Sequence, residues 1–137
     1  MILINSWFHA KSAAHKWGGK PEDYLDIEEF IDSSKQVIGD HRHRSLYHHT
    51  LGVFLCERIF GKTIKIEKKM ARNSLGEEFK RTIDVPVRLI AERHIEEDLG
   101  WLPSPTDYIE GMLHKPWMSG PKLKDIGSFN DLFAEEN

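Results

Sequence analysis

The sequence predicts a mainly α protein: a single compact domain of about five helices around a long central helix, with one inserted β-hairpin. Three observations carry this. The chain has 137 residues, 39% of them hydrophobic, with four Trp, three Tyr and seven Phe, which is enough to fill one core. Apolar residues recur at helical spacing along most of the chain, between capping residues and glycines. Only residues 62–85 carry the alternating pattern of a hairpin. The domain is expected to span residues 1–118, with a loosely packed C-terminal tail over 119–137.

The first helix runs from Trp7 to Trp17, with Ser6 as its N-cap and Gly18-Gly19 as its stop. The second opens at Pro21, which suits a first helical position, and Glu22 and Asp23 face the positive end of its dipole. Tyr24, Leu25, Ile27, Phe30 and Ile31 form its apolar stripe. Its acidic residues, among them Asp26, Glu28, Glu29 and Asp32, read as a solvated face. A third segment, from about Asp32 to Phe60, is the long central helix, kinked or interrupted at Gly39-Asp40 and stopped by Gly61. From Leu46 onward it is apolar on nearly every side, the mark of a helix in the middle of a fold. Thr63–Glu67 and Phe79–Val85 are the hairpin strands, joined by a long turn-rich loop. Pro86 opens a fourth helix over Val87–Leu99, closed by Gly100, and a proline-punctuated connector leads to a short last helix around residues 106–113.

Composition narrows the function. The charge balance of −3 gives no global footprint for nucleic acid, although residues 62–81 are locally basic, with seven cationic side chains against three acidic ones. Alternating charge on an exposed hairpin accounts for that stretch without a ligand. One cysteine, Cys56, excludes a disulfide framework and a cysteine-rich zinc cluster; set in an apolar run, it reads as a buried, inert thiol. No secretion signal and no membrane span are visible, so a cytoplasmic protein is expected.

The chemistry concentrates in the histidines. Eight are present, four of them at His41, His43, His48 and His49. If the central segment is one helix, His49 shares a stripe with Val53 and Cys56, and His48 lies on the neighbouring stripe. No two of the four have the i, i+4 spacing that lets one helix bind a metal, so a second element must contribute. The fourth helix offers one: His94 precedes Glu97 by three residues and Asp98 by four, which puts all three toward one side. The expected ligands of a divalent metal (zinc, iron or manganese) are therefore His48, His49, His94 and Asp98, with Glu97 as catalytic base. His9, His43 and Glu92 are additional candidates, and Arg44 and Arg88 could meet an anionic substrate group. The same residues can instead form a buried polar network in which Arg42, Arg44, Arg88 and Arg93 pair with Glu92, Glu97 and Asp98. Known signatures are missing: Gly61-Lys62-Thr63 lacks the upstream glycine of a phosphate loop, and there is no His-Asp dipeptide and no H-E-x-x-H.

Trp7-Phe8-His9-Ala10, Gly18-Gly19-Lys20-Pro21-Glu22-Asp23-Tyr24-Leu25, Arg42-His43-Arg44, His48-His49 and Val85-Pro86-Val87-Arg88 belong to one pattern. His94, Glu97-Asp98-Leu99-Gly100 and Lys115-Pro116-Trp117-Met118 complete it. Over residues 7–118 the chain resembles a family of small uncharacterised proteins of bacteria and their phages. The family has no assigned activity. Because His9, His43, Arg44, His48, His49, Glu92, His94, Glu97 and Asp98 lie among its motif residues, the resemblance implies a metal or polar site there. The loop at 67–80 is longer than the family's hairpin. Two functions follow as expectations: a divalent-metal protein, in its fullest form a small hydrolase of a phosphate- or amide-bearing small molecule, or a non-catalytic protein that engages a host protein, with the cluster only organising the core.

Overall fold

A computed structural model describes residues 4–121. Helices α1 (Ile4–Trp17) and α2 (Pro21–Asp32) form a helical hairpin across Gly18 and Gly19. Both glycines have positive φ, 102° and 78°, a conformation that side chains disfavour. At Gly19 a Cβ would also lie 2.4 Å from Ile66 Cγ2, so the turn admits glycine alone. The N-terminus of α2 is closed as its sequence suggests: the Lys20 backbone N–H donates to Asp23 Oδ2 at 2.8 Å, and Pro21 follows. Ser6 does not cap α1. It lies within the helix, fully buried, and its hydroxyl donates to Asp32 Oδ2 at 3.0 Å.

The segment expected as one long helix is broken. After α2 come two 3₁₀ turns, Ser33–Gln36 and His41–His43, then α3 (Arg44–Tyr47) and α4 (Thr50–Phe60). Local side-chain hydrogen bonds compete with helix continuation here. Ser33 Oγ donates back to Phe30 O at 2.6 Å, and Asp40 Oδ1 accepts from Arg42 N at 2.8 Å. At the second break His48 leaves helical geometry (ψ 62°), and His49 is fully extended (φ −164°, ψ 178°). Gly52 lets the chain fold back on itself there, since a Cβ at that position would sit 1.8 Å from the Tyr47 carbonyl oxygen.

The hairpin consists of β1 (Thr63–Met70) and β2 (Phe79–Pro86), paired antiparallel from Thr63↔Pro86 to Met70↔Phe79. Ile66 and Val85 are buried against the helices, while the tip half is exposed. α5 (Val87–Leu99) follows directly and ends at Gly100, whose φ of 82° makes the left-handed helix stop. α6 (Pro105–Ile109) is shorter than the helix expected around 106–113, and Ser104 and Asp107 cap it. The tail expected over 119–137 lies, from residue 122 on, outside the described residues.

The fold class therefore stands, a helical domain with one hairpin, but its centre is not the helix expected there. α4 buries only Gly52, Val53 and Cys56 and leaves Leu51, Phe54 and Ile59 about half exposed. The core is built instead by α2, through Tyr24, Ile27 and Ile31, and by α5, through Ile90, Ala91 and Ile95. α2 packs against α1, α4 and α5. Each buried Ile contributes about 1.5–3 kcal/mol relative to exposure. Cys56 is fully buried as expected, and burial pushes its thiol up to about 12. No helix among the described residues is long and apolar enough to cross a membrane.

Gly52→Ala tests the α3–α4 junction. Alanine gains about 1 kcal/mol of helix propensity, but the forced backbone shift costs more, so a net loss of about 2 kcal/mol is expected in urea unfolding. A variant as stable as the parent would contradict the close approach to Tyr47.

Candidate metal centre

Three helices and one break in the chain bring the chemistry together. On α5, His94 and Asp98 are one turn apart and continue the buried stripe of Ile90 and Ala91. On α2, Tyr24, Glu28 and Asp32 recur every four residues beside Ile27 and Ile31, so Glu28 and Asp32 sit on the apolar side, 1% and 0% exposed. The acidic run is thus only partly a solvated face. His9 comes from α1. His48 comes from the non-helical step between α3 and α4, which turns its ring into the core.

Four donor atoms converge. His48 Nε2 lies 2.9 Å from Asp98 Oδ2 and 3.5 Å from Asp32 Oδ1, and His94 Nε2 lies 3.2 Å from Asp32 Oδ1 and 3.4 Å from Asp98 Oδ2. All four donors lie within 4.8 Å of one another. A tetrahedral ion with bonds of about 2.0–2.1 Å holds its ligand atoms about 3.3 Å apart, so these separations already match its edges. The other nitrogen of His94 is engaged: Nδ1 faces Glu28 Oε2 at 2.5 Å. A carboxylate behind a ligating imidazole fixes the ring and its tautomer, a usual feature around bound metals.

His9 stacks on His94, with ring centroids 3.8 Å apart. Its Nε2 faces Asp98 Oδ1 at 3.0 Å and its Nδ1 faces Glu97 Oε1 at 3.1 Å. Carboxylates on both sides favour the ring with both nitrogens protonated. Burial alone would lower its pKa, but Asp98 and Glu97 outweigh burial and raise it. Glu97 Oε2 accepts from Ser12 Oγ at 2.7 Å, so both carboxylate oxygens of the expected base are occupied. His9, Glu28 and His94 form a second close group. It is the poorer site, because Glu28 already holds His94 Nδ1 and both nitrogens of His9 are spoken for.

The electrostatics are those of a proton-or-metal site. Burial would depress His94, but hydrogen bonds to Asp32, Asp98 and Glu28 hold it well above the ordinary histidine range. Burial would raise Asp98, but hydrogen bonds from His48, His9 and His94 hold it below the usual carboxylate range. His48 is depressed by burial and stays neutral. Its Nδ1 is buried without a partner, as is Nε2 of His43. The Ser34 hydroxyl donates to the His43 carbonyl at 3.0 Å, so its oxygen accepts from His43 Nδ1, also at 3.0 Å, and leaves His43 Nε2 bare. A metal on His48 Nε2 would put the proton on Nδ1. A donor and an acceptor then stand on adjacent buried rings, 5.3 Å apart between centroids.

Of the residues singled out in the sequence, His48, His94 and Asp98 meet, His9 and Glu97 flank them, and His43 adjoins His48. His49 points elsewhere: its Nδ1 accepts from Gly52 N at 3.2 Å and caps α4, and its Nε2 donates to Ser45 O at 3.0 Å. Arg88 and Glu92 pair with each other at 3.4 Å on the outer side of α5 and line a separate small pocket with Thr50, Phe54 and Leu102. Arg44 is half-buried, its Nε without a partner, and it makes no ion pair among the described residues. Asp32 and Glu28 belong to the centre, although sequence reasoning passed over them.

Fold and cluster together define a small helical protein with a buried histidine–carboxylate centre that could hold a metal ion. The chain belongs to the family described as a domain of unknown function, DUF6915, whose model matches residues 4–118. No curated protein and no solved structure matches it.

The separation of the two adjacent histidines and the role of Asp98 are testable in metal-free protein. His49→Ala is expected to lose about 1 kcal/mol, the cost of a helix cap. Asp98→Ala is expected to lose about 3 kcal/mol or more, because His9 and His94 are left as buried, under-paired cations. Equal losses in urea unfolding would contradict this assignment.

Proposed function

We propose that this chain is a divalent-metal protein in which Asp32, His48, His94 and Asp98 hold one ion, with zinc, iron or manganese as the metals that suit imidazole and carboxylate donors. The observation that carries this reading is the donor geometry: two imidazole nitrogens and two carboxylate oxygens, separated by 2.9–3.5 Å along the four nitrogen–oxygen edges. Charge agrees with it. Four carboxylates, Glu28, Asp32, Glu97 and Asp98, surround the three imidazoles of His9, His48 and His94. Without an ion, these acids raise the pKa of both His9 and the His94 ring stacked on it, against the repulsion between the two rings. A divalent cation in place of the His94 Nε2 proton brings one more positive charge to the four carboxylates.

The reading extends to hydrolysis of a phosphate- or amide-bearing substrate. A bound divalent ion would supply Lewis acidity and activate water. Asp98 is the only one of the four ligands whose side chain reaches solvent, at 14% exposure, so a substrate would approach on that side. His9 and Glu97 border it. Ser12 and His9 hold Glu97, and Glu97 and Asp98 hold both ring nitrogens of His9, so a substrate would have to displace one of these contacts to reach a proton carrier. A competing reading rests on His94 itself, since two donated N–H bonds, to Glu28 and to Asp32, satisfy it with no ion at all.

Elemental analysis of protein purified without a histidine tag separates the two. The metal reading expects close to one equivalent per chain, lost in His48→Ala and Asp32→Asn but kept in His49→Ala. Metal-free wild-type protein that keeps its thermal stability in chelator would overturn it. Ion and proton compete for His94, whose pKa is raised. Affinity is therefore expected to weaken by about tenfold per pH unit below that pKa. A titration with a competing chromophoric chelator at several pH values reads this directly.

A further inference from the structure

We propose that the cleft between the Gly18–Gly19 turn and the hairpin binds a ligand carrying two or more phosphate groups. The cleft is a concavity of about 610 Å³, within the size range of small-molecule sites. Five lysines line it, Lys20, Lys65, Lys68, Lys69 and Lys80, against two carboxylates, Asp23 and Glu67. Asp23 is already engaged by the Lys20 backbone, and only Lys65 is paired, with Asp84 at 3.1 Å. Among the described residues Lys20, Lys68, Lys69 and Lys80 have no acidic partner. A chain of net charge −3 thus gathers four unpaired cations around one concave surface.

The hairpin register supplies an independent observation. Lys68 stands directly opposite Arg81, and Lys69 directly opposite Lys80. Like charges across a strand pair weaken it, so two consecutive pairs of this kind work against the fold itself. Successive pairs face opposite sides of the ribbon, and an anion in the cleft that Lys69 and Lys80 line turns the repulsion of that pair into attraction. Gly18 contributes as well: a Cβ there would lie 2.9 Å from Lys68 Cγ, so glycine leaves room for the lysine stem to lie across the turn. The donors are ammonium groups, which act as point charges. They suit clustered phosphates better than a lone planar carboxylate, which an arginine fork would grip. The cleft shares no residue with the metal centre, so this inference stands whether or not an ion binds there.

Isothermal titration of the full chain with inorganic tripolyphosphate tests it, alongside fluorescence anisotropy with a labelled single-stranded oligonucleotide. Stoichiometric tripolyphosphate binding, weakened about tenfold or more in Lys69→Glu and in Lys80→Glu, supports a free polyphosphate as the ligand. Binding of the oligonucleotide alone, with the same sensitivity, supports a nucleic-acid backbone as the source of the phosphates. Either variant replaces a like-charge pair by an opposite one, so its Tm should equal or exceed that of the parent, which separates lost binding from lost folding. Failure of both probes to bind overturns the proposal. So does binding indifferent to both substitutions, as expected if tripolyphosphate merely sequesters a metal.

Discussion

The contact on which the rest of this structure depends is the bracketing of His94 between Glu28 on one ring nitrogen and Asp32 with Asp98 on the other. An imidazole with no solvent exposure is costly unless both its nitrogens are answered, and an unanswered carboxylate beside it is costlier still. That mutual need locks the rotation of α2 against α5. With the rotation set, Tyr24, Ile27 and Ile31 meet Ile90, Ala91 and Ile95, and the apolar core falls into place around a polar centre. Ser6 then secures Asp32 from α1, and His9 and His48 close the group from two further directions.

Such a centre has an uneven energetic character. Each polar group is held only because its neighbours are present, so the cluster behaves as a unit and single deletions do not partition it. Hydrophobic replacements throughout could give an equally stable core. What the polar version adds is selectivity of arrangement: one register of α2 against α5 brings Glu28 and Asp32 to His94, and a slip of one helical turn strands charge in the interior.

Much of the architecture was legible in the sequence because it depends on local rules. Gly61, Gly100 and Pro86 mark element ends, and the alternation around Ile64 and Ile66 marks a strand. The pairing of His94 with Asp98 follows from helical spacing alone. The breaks inside 33–49 were harder to read, because they arise from competing side-chain hydrogen bonds and a tertiary close approach at Gly52 that no propensity encodes. That error propagated to the site. On a continuous helix, His48 and His49 occupy adjacent stripes of one element. The non-helical step instead sends one into the centre and makes the other a cap. Glu28 and Asp32 were missed because acidic runs are usually solvated. Their four-residue spacing from Tyr24 was the available signal, since it placed both on the apolar stripe.

Where the donors lie along the chain bears on how the molecule is made. Contacts of the centre span 26 residues from Ser6 to Asp32, 50 from His48 to Asp98 and 89 from His9 to Asp98. Closing the two longer loops is entropically slow, and only the Ser6–Asp32 pair forms within neighbouring helices. During synthesis the pocket stays incomplete until the chain has been made beyond residue 98. An ion caught in this centre would therefore act as a late clasp on an assembled body, not as a seed around which the chain condenses.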